Sequence, residues 1–146
     1  MAKAARAIIF EGNKLLVMYR NNHGSKYFTL VGGRINEGEN LEQCLIREVK
    51  EETGLTVTHA QLMFIEEHQK PSNEQHIYLC SVAPYESVAI QETSEESYMN
   101  RIGINTHEVR WVDVHALGKL PFRTPQLQKA LENAIKKGFP NTPVKI

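Results

Sequence analysis

Cysteine is scarce in this chain, and its cysteines do not form a metal-binding pattern. Cys44 and Cys80 are the two cysteines among 146 residues, and each lies in an apolar context without a CxxC-like spacing. We interpret both as buried thiols. Such thiols are typical of a reducing compartment.

The chain also lacks an excess of charge of either sign. Its 17 basic and 17 acidic residues cancel, so no overall field would hold it on the phosphates of a nucleic-acid polymer or on an anionic membrane. A small molecule is therefore the expected partner. The sequence is compatible with a monomer or a homodimer.

Hydrophobic runs long enough to cross a bilayer or to form a signal peptide are lacking. The apolar stretch at residues 7–10 is interrupted by Glu11, whereas a membrane helix needs about 20 apolar residues. We therefore expect a cytoplasmic protein. A chain of 146 residues fits a single domain over residues 1–146 with its own hydrophobic core.

The N-terminal part has the composition of β-strands. Residues 4–10 and 14–20 are apolar and rich in β-branched side chains, and the turn-forming sequence Glu-Gly-Asn separates them, which predicts an antiparallel hairpin. Residues 26–31 form a third predicted strand. It runs into Gly32 and Gly33, where we expect a loop to begin.

Two helices are predicted in the rest of the chain. Residues 40–53 have helical spacing and are followed by Gly54, the residue type that usually stands just past a helix C-terminus. A second helix is predicted over residues 124–137, because a threonine followed by proline is typical of a helix start.

The remaining segments predict further strands and one long loop. Strands are expected at residues 61–68, 75–82 and 108–114, where apolar and polar residues alternate. Residues 83–106 are polar and without a clear period, which predicts a loop. The whole pattern favours one α/β domain with a mixed sheet.

The helix at residues 40–53 changes character along its length. Successive residues of a helix are about 100° apart around its axis. On this wheel, Glu48, Glu51 and Glu52 continue the apolar face of the helix in its last two turns. These carboxylates repel one another, lie near the negative end of the helix dipole and are costly to bury unpaired. A hard cation such as Mg²⁺ offsets these penalties and keeps water positions that a phosphate can occupy. We therefore favour a metal site over an ordinary solvated face. Arg47 can reach either Glu51 or Glu39.

Residues 33–55 resemble the Nudix box. The matching positions are Gly33, Glu39, Arg47, Glu48, Val49, Glu51, Glu52, Gly54 and Leu55. The order of predicted elements around them, including a strand with Trp111 and a C-terminal helix, is similar to a whole MutT-like Nudix domain. The resemblance implies an α/β/α sandwich with a mixed β-sheet. In one departure, Val31 stands where many members have proline.

The resemblance also implies an activity and roles for the matched residues. The activity is Mg²⁺-dependent hydrolysis, with Mn²⁺ as a substitute, of a phosphoanhydride bond in a nucleoside diphosphate linked to another moiety, such as a nucleoside triphosphate or a nucleotide sugar. The metal ligands would be Glu48, Glu51, Glu52 and the carbonyl of Gly33. Arg47 would orient the catalytic carboxylate, and Glu39 would brace the unit of loop and helix.

The general base and the substrate contacts are less constrained. Glu48 is the first choice for the base, with Glu95 or Glu96 of the polar loop as the alternative. Aromatic side chains that could stack on a base are Tyr27, Phe28, Tyr78, Tyr98 and the imidazole of His76. ADP-ribose and dinucleoside polyphosphates are alternative substrates, and Pro71, sixteen positions after Leu55, resembles a marker of ADP-ribose-cleaving relatives.

Two rival interpretations belong to other classes. A Nudix-fold module that binds a nucleotide or a protein without catalysis is disfavoured by the intact set of three glutamates. A purely structural acidic helix predicts solvent-exposed glutamates, and it leaves Gly33 and Arg47 unexplained.

Overall fold

The computed structural model describes residues 2–67, 73–91, 100–101, 103 and 105–146. Its strands are β1 (Ala2–Ile8), β2 (Phe10–Glu11), β3 (Lys14–Asn22), β4 (Ser25–Thr29), β5 (Val31–Arg34), β6 (Val57–Glu67), β7 (Asn73–Val82), β8 (Asn105–Asp113) and β9 (Val144–Lys145). Its helices are α1 (Leu41–Thr53), α2 (Pro125–Lys137) and a short 3₁₀ helix at Val114–Lys119. In the described part of the chain, no helix is long and apolar enough to cross a membrane.

Helix α1 begins and ends as the sequence predicts. The Asn40 side chain accepts a hydrogen bond from the Gln43 N–H at 2.8 Å, and the Gln43 side chain accepts one from the Asn40 N–H at 2.9 Å. This reciprocal capping box satisfies two amide donors of the first turn. At the other end Gly54 has a φ of 81° and donates its N–H to the carbonyl of Lys50, in the left-handed conformation that glycine adopts without steric penalty.

Helix α2 is also present where it is predicted. The hydroxyl of Thr124 accepts a hydrogen bond from the Leu127 N–H at 3.1 Å, and Pro125 occupies the first helical position, where its missing N–H costs nothing. Gly138 follows the last residue of the helix.

The strands form two sheets, and the helices cover separate apolar clusters. The mixed sheet has the order β5-β1-β7-β6-β9, with β1 parallel to β7 and antiparallel to β5. Strands β2, β3, β4 and β8 form the second, antiparallel sheet. The α1 residues Cys44, Leu45 and Val49 pack in one cluster, and the α2 residues Leu127, Leu131 and Ala134 pack in the other. The predicted α/β/α architecture with a mixed sheet is confirmed, and both cysteines are buried free thiols.

The predicted N-terminal hairpin is wrong in its pairing. Strand β1 ends at Ile8 and pairs with β5 and β7, and it is only the short β2 that pairs with β3. The chain passes from one sheet to the other at Ile9, whose carbonyl accepts a hydrogen bond from the Leu16 N–H of β3 at 2.9 Å. A continuous apolar run conceals such a change of sheet.

The loop predicted at Gly32 and Gly33 is also wrong. Both glycines lie within β5, opposite Arg6 and Ala5 of β1. Gly32 has a φ of 139°, and a Cβ atom there would lie 2.1 Å from the carbonyl oxygen of Ala5. The close approach of β1 therefore requires this glycine, and the loop begins after β5.

The later strands are present with shifted ends. Strand β6 begins four residues before the predicted start at residue 61, and β8 begins three residues before residue 108. Within residues 83–91 of the predicted loop the structure contains no strand. Residues 92–99 of that loop lie outside the described residues.

Replacement of Gly32 by alanine is expected to destabilise the protein severely. The added Cβ atom would meet backbone atoms of β1, which a side-chain rotation cannot relieve. We expect the free energy of unfolding to fall by more than about 3 kcal/mol, as measured by urea denaturation.

Gly38→Ala is the matched control for this experiment. Gly38 also has a positive φ, 79°, but a Cβ atom there would meet nothing within 4 Å. The free energy of unfolding of the control should therefore fall by only about 1–2 kcal/mol, the cost of a non-glycine residue in a left-handed backbone conformation. Equal losses in the two variants would contradict the steric explanation.

Candidate active site

A cleft of about 320 Å³ separates the two sheets beside helix α1. Its first wall comes from β1, β5 and α1 and consists of Arg6, Gly32, Gly33, Arg34, Glu48 and Glu52. Its second wall comes from the antiparallel sheet and consists of Met18, Arg20, Thr29, Asn105 and His107. The first wall thus contains two of the three glutamates singled out in the sequence.

Glu52 is the most buried of the three glutamates, as its position on the helical wheel predicts. The residue is 4% exposed, and its Oε2 accepts a hydrogen bond from the backbone N–H of Gly32 at 2.8 Å. A purely structural acidic helix would have left this side chain in solvent. The carboxylate instead joins the end of α1 to strand β5.

Glu48 lies against the second glycine of β5. Its side chain is 12% exposed, and a Cβ atom at Gly33 would lie 2.5–2.7 Å from the atoms of its carboxylate. Glycine at this position therefore leaves the space that the carboxylate occupies. The carbonyl of Gly33 accepts a hydrogen bond from the Cys44 thiol at 3.3 Å, and burial raises the pKa of Cys44 to about 11, so that the thiol keeps the proton it donates.

Arg47 joins the head of the helix to two of its glutamates. Its Nε and Nη2 donate to the two carboxylate oxygens of Glu39 at 2.7 and 2.9 Å. Its Nη1 donates to Glu48 at 2.9 Å and to Glu51 at 3.2 Å, and Nη2 also donates to the carbonyl of Arg34. The sequence predicts that Arg47 reaches either Glu39 or Glu51, and the structure shows that it contacts both.

The charged groups in this network shift one another's pKa values. The hydrogen bonds from Arg47 lower the pKa of Glu39 to about 2, and the N–H of Asn36 adds to the effect. The pKa of Arg47 is raised, with the hydrogen bonds to Glu39 as the largest cause. Both groups are therefore ionised at neutral pH, as a charge-assisted bidentate pair requires.

Glu51 differs from the other two glutamates. Its side chain is 37% exposed, and it does not line the cleft. Among the described residues, no three His, Cys, Asp or Glu side chains lie close enough together to hold a metal ion. The expected convergence of all three glutamates is thus not seen. Carboxylates at this spacing repel one another, and Nη1 of Arg47 donates to both Glu48 and Glu51.

Arg6 places a cation in the cleft that the sequence pattern does not reveal. Its Nε donates to the Gln75 side chain at 2.9 Å, and its Nη1 donates to the carbonyl of Gly32 at 3.0 Å. Burial lowers the pKa of Arg6 and is the largest cause of the shift, while the charge of Glu52 opposes it. Gln75 is fixed in turn by a hydrogen bond to Glu66 at 3.0 Å. An arginine between two alanines inside a strand is the signal that could have identified this residue.

The predicted substrate contacts do not meet in the cleft. Tyr27, Phe28 and Tyr78 are each 7% exposed, and none of them lines it. Phe28 and Tyr78 belong to the two apolar clusters, and the ring of Tyr27 lies under the guanidinium of Arg123 at 3.9 Å. The alternation of apolar and polar residues along a strand shows which aromatic rings share a face. It does not show whether that face packs against the core or lines a ligand site. The other candidates Pro71, Glu95, Glu96 and Tyr98 lie outside the described residues.

The comparison with family models identifies the class of this fold. The NUDIX domain model matches residues 1–134, so the chain belongs to the NUDIX family. The resemblance seen at residues 33–55 is confirmed, and it extends over nearly the whole chain.

Individual relatives carry several activity names. The ADP-ribose pyrophosphatase of Methanocaldococcus jannaschii is 30% identical over 122 residues, which cover 83% of this chain and 67% of that protein. The NAD-capped RNA hydrolase NudC of Photobacterium profundum is 34% identical over 84 residues, or 58% of this chain and 30% of that protein. The chain thus matches about a third of the length of the NudC protein.

A solved structure supports the fold. A MutT structure from work on Aliivibrio salmonicida and Vibrio cholerae aligns with a TM-score of 0.69 at 20% identity, and the alignment covers 90% of this chain and 96% of that one. At this level of identity the similarity concerns the fold alone.

The Glu39–Arg47 pair is expected to make stability depend on pH. The pKa of Glu39 is about 2 in the folded protein, compared with about 4.3 in an unfolded chain. The pair therefore stabilises the fold above about pH 4.3, and this contribution is lost as the pH falls through about 2. Glu39→Gln should be less stable than wild type by about 1–2 kcal/mol at pH 7, and the difference should shrink between pH 4.3 and 2.

Chemical denaturation at a series of pH values measures this difference. Glu37→Gln, an exposed substitution in the same loop, serves as the control and should change stability by less than about 0.5 kcal/mol at pH 7. A difference between wild type and Glu39→Gln that stays constant down to pH 2 would refute the ion-pair explanation.

Proposed function

We propose that the protein is a Mg²⁺-dependent hydrolase that cleaves a phosphoanhydride bond in a nucleoside diphosphate linked to another moiety, such as a nucleoside triphosphate or a nucleotide sugar. The observation that carries the proposal is the first wall of the cleft, where carboxylates and guanidinium groups lie side by side. Glu48 and Glu52 offer oxygen ligands to a cation, and Arg6 and Arg34 offer positive charge to phosphate.

The donor set fits a hard divalent cation. Carboxylate and carbonyl oxygens are the ligands that Mg²⁺ prefers, and Mn²⁺ accepts the same set. We assign Glu48, Glu52 and the carbonyl of Gly33 as ligands, together with Glu51, which the Nudix box implies. When bound, the ion would neutralise the diphosphate and lower the pKa of a coordinated water.

The side chains of the chain itself orient and deprotonate the nucleophile. We assign Glu48 as the general base, because Arg47 holds its Oε1 at 2.9 Å and its carboxylate lines the cleft. A water oxygen forms a bond to phosphorus while the bond from that phosphorus to the bridging oxygen breaks. The proton of the water passes to Glu48, and the leaving phosphate departs with the electron pair of the broken bond.

A second substrate class is favoured by one relative. The M. jannaschii protein is named an ADP-ribose pyrophosphatase and aligns over 83% of this chain. ADP-ribose contains the same diphosphate linkage, and dinucleoside polyphosphates contain it as well. The deciding experiment is a screen of nucleoside triphosphates, nucleotide sugars, ADP-ribose, NAD and dinucleoside polyphosphates with Mg²⁺, in which the released products are identified. Binding without turnover of any compound would favour the non-catalytic module.

Activity is expected to require a divalent cation. Removal of metal by excess chelator should abolish turnover of the best substrate, and addition of Mg²⁺ or Mn²⁺ beyond the chelator should restore it. Steady-state hydrolysis rates measure both steps. Undiminished turnover in excess chelator would rule out the proposed mechanism.

Glu52→Gln is expected to lower turnover by orders of magnitude without unfolding the protein. The amide oxygen still accepts the hydrogen bond from the Gly32 N–H, but the charge that holds the cation is gone. Stability without metal should be kept or rise slightly, because repulsion from Glu48 one turn earlier is relieved. Kinetics at saturating Mg²⁺ and thermal melting without metal test the two parts.

Glu42→Gln in the first turn of the same helix is the matched control. Glu42 is exposed and does not line the cleft, so turnover should stay at the wild-type level. Near-wild-type turnover of Glu52→Gln at saturating Mg²⁺, or its unfolding, would show that the metal assignment is wrong at this residue.

A further inference from the structure

A line of hydrogen-bonded side chains leads from the start of helix α2 to the cleft. The hydroxyl of Thr124 donates to the carboxylate of Glu66. The same carboxylate accepts a hydrogen bond from the side-chain NH₂ group of Gln75 at 3.0 Å. The side-chain carbonyl of Gln75 accepts one from Nε of Arg6 at 2.9 Å. Since Arg6 lines the cleft, the line ends on the first wall, beside the proposed phosphate site.

Strand pairing fixes the order of the side chains in this line. Glu66 of β6 stands directly opposite Gln75 of β7, and Gln75 stands opposite Ala4 of β1. Arg6 lies two positions after Ala4 and therefore on the same face of the strand. Both Glu66 and Gln75 are buried. The line thus crosses three neighbouring strands on one face of the mixed sheet.

Glu66 determines which way the amide of Gln75 points. A side-chain amide has an acceptor oxygen and a donor nitrogen, and a half-turn of the amide exchanges their positions. Both oxygens of Glu66 act as acceptors, so Glu66 requires the NH₂ end of Gln75. The oxygen of the amide is then left to face Arg6. In the opposite orientation two donors, the NH₂ group and the guanidinium, would face each other.

The guanidinium of Arg6 is held through two of its three nitrogens. Its Nε donates to Gln75, and its Nη1 donates to the backbone carbonyls of Leu30 and Gly32. None of these bonds uses Nη2, which stays available as a donor. An arginine side chain has many rotamers, and restraint before the ligand arrives lowers the entropy lost on binding. The contacts of Arg6 thus serve to pre-organise its charge.

We propose that Gln75, oriented by Glu66, is a positioning residue that holds the guanidinium of Arg6 in place for the phosphate groups of the substrate. The inference rests on the proposed function, since those phosphates belong to the compound that is hydrolysed. Neither Gln75 nor Glu66 lines the cleft, so both act through Arg6. Both also lie outside the Nudix box.

The first test is a double-mutant cycle between Gln75 and Arg6. Gln75→Met keeps the approximate size of the side chain but removes its donor and acceptor. It should lower kcat/KM for the best substrate about 10–100-fold in the wild-type background. In the Arg6→Met background the same substitution should change kcat/KM less than about twofold, because the group through which it acts is gone. Equal losses in the two backgrounds, or no loss in either, would overturn the inference.

The second test exchanges the two side chains. Gln75→Glu combined with Glu66→Gln keeps the net charge and supplies a donor and an acceptor for every bond of the line. The new carboxylate accepts from Arg6 and from the new amide, whose oxygen accepts from Thr124. Because these bonds are kept, kcat/KM should stay within about threefold of wild type. A folded exchange variant as slow as Gln75→Met would contradict the inference.

Gln61→Met is the matched control. Gln61 belongs to the same strand as Glu66, but it is exposed and does not line the cleft, so kcat/KM should be that of wild type. Thermal melting shows whether each variant is folded. If Gln75→Met does not fold, Gln75→Asn, which keeps the amide but shortens the side chain, takes its place in the cycle.

Binding of inorganic pyrophosphate separates failure of the inference from failure of the proposed function. If the best substrate is hydrolysed and Gln75→Met keeps the wild-type kcat/KM, the inference is overturned while the proposed function stands. Lack of turnover of every compound in the screen would reject the proposed function, and calorimetric binding of pyrophosphate with Mg²⁺ then decides. Weaker binding to Gln75→Met than to wild type and Gln61→Met supports the positioning role, whereas equal binding, or none to wild type, overturns it.

Discussion

The ion pair between Arg47 and Glu39 is the contact on which the geometry of the first wall depends. A guanidinium that donates twice to one carboxylate fixes the relative position of two segments, here helix α1 and the loop that leads into it. The pair is largely shielded, with 25% and 14% of the two side chains exposed, so it is weakened less by solvent than a surface ion pair. Arg47 also donates to Glu48 and to the carbonyl of Arg34. One side chain therefore fixes the loop, the helix and the end of β5 together.

The two glycines of β5, Gly32 and Gly33, contribute to this arrangement because they lack a Cβ atom. Gly32 lets β1 approach the strand and donates its N–H to Glu52. Gly33 leaves the space taken up by the carboxylate of Glu48. Strand pairing and carboxylate placement thus depend on the same two residues. A Cβ atom at Gly32 would meet the backbone of β1, and one at Gly33 would meet the carboxylate of Glu48, which explains why glycines stand inside a strand where they would otherwise weaken it.

Local patterns predicted the parts of the molecule that local interactions determine. The glycine after the last turn of α1 and the threonine-proline start of α2 act within a few residues, and each is where the sequence places it. The reach of Arg47 to Glu51 follows from helical spacing in the same way. Contacts between distant segments were not predictable. The passage of the chain between sheets at Ile9 depends on which distant strands β1 and β2 pair with, and the pattern of a single strand does not contain that information.

The same limit applies to the aromatic residues predicted as substrate contacts and to the polar residues of the second wall. Aromatic rings suit both cores and ligand sites, so Phe28 and Tyr78 could not be assigned from alternation, and the structure places them in the core. Arg20, Asn105 and His107 look like ordinary polar positions of strands, and they meet only because β3 pairs with β8.

The two walls of the cleft come from different sheets and differ in how a substitution affects their other contacts. On the first wall, the side chains are coupled to one another through Arg47 and through the backbone of β5, so a change at one position disturbs several contacts. On the second wall, Arg20, Asn105 and His107 stand on an antiparallel pair of strands that holds its register through backbone hydrogen bonds, which do not depend on side-chain identity. Substitutions there leave the sheet intact and alter only the groups offered to the ligand. Under the proposed assignments, bond cleavage depends on the coupled first wall, whereas side chains of the second wall can be exchanged without rebuilding the phosphate site.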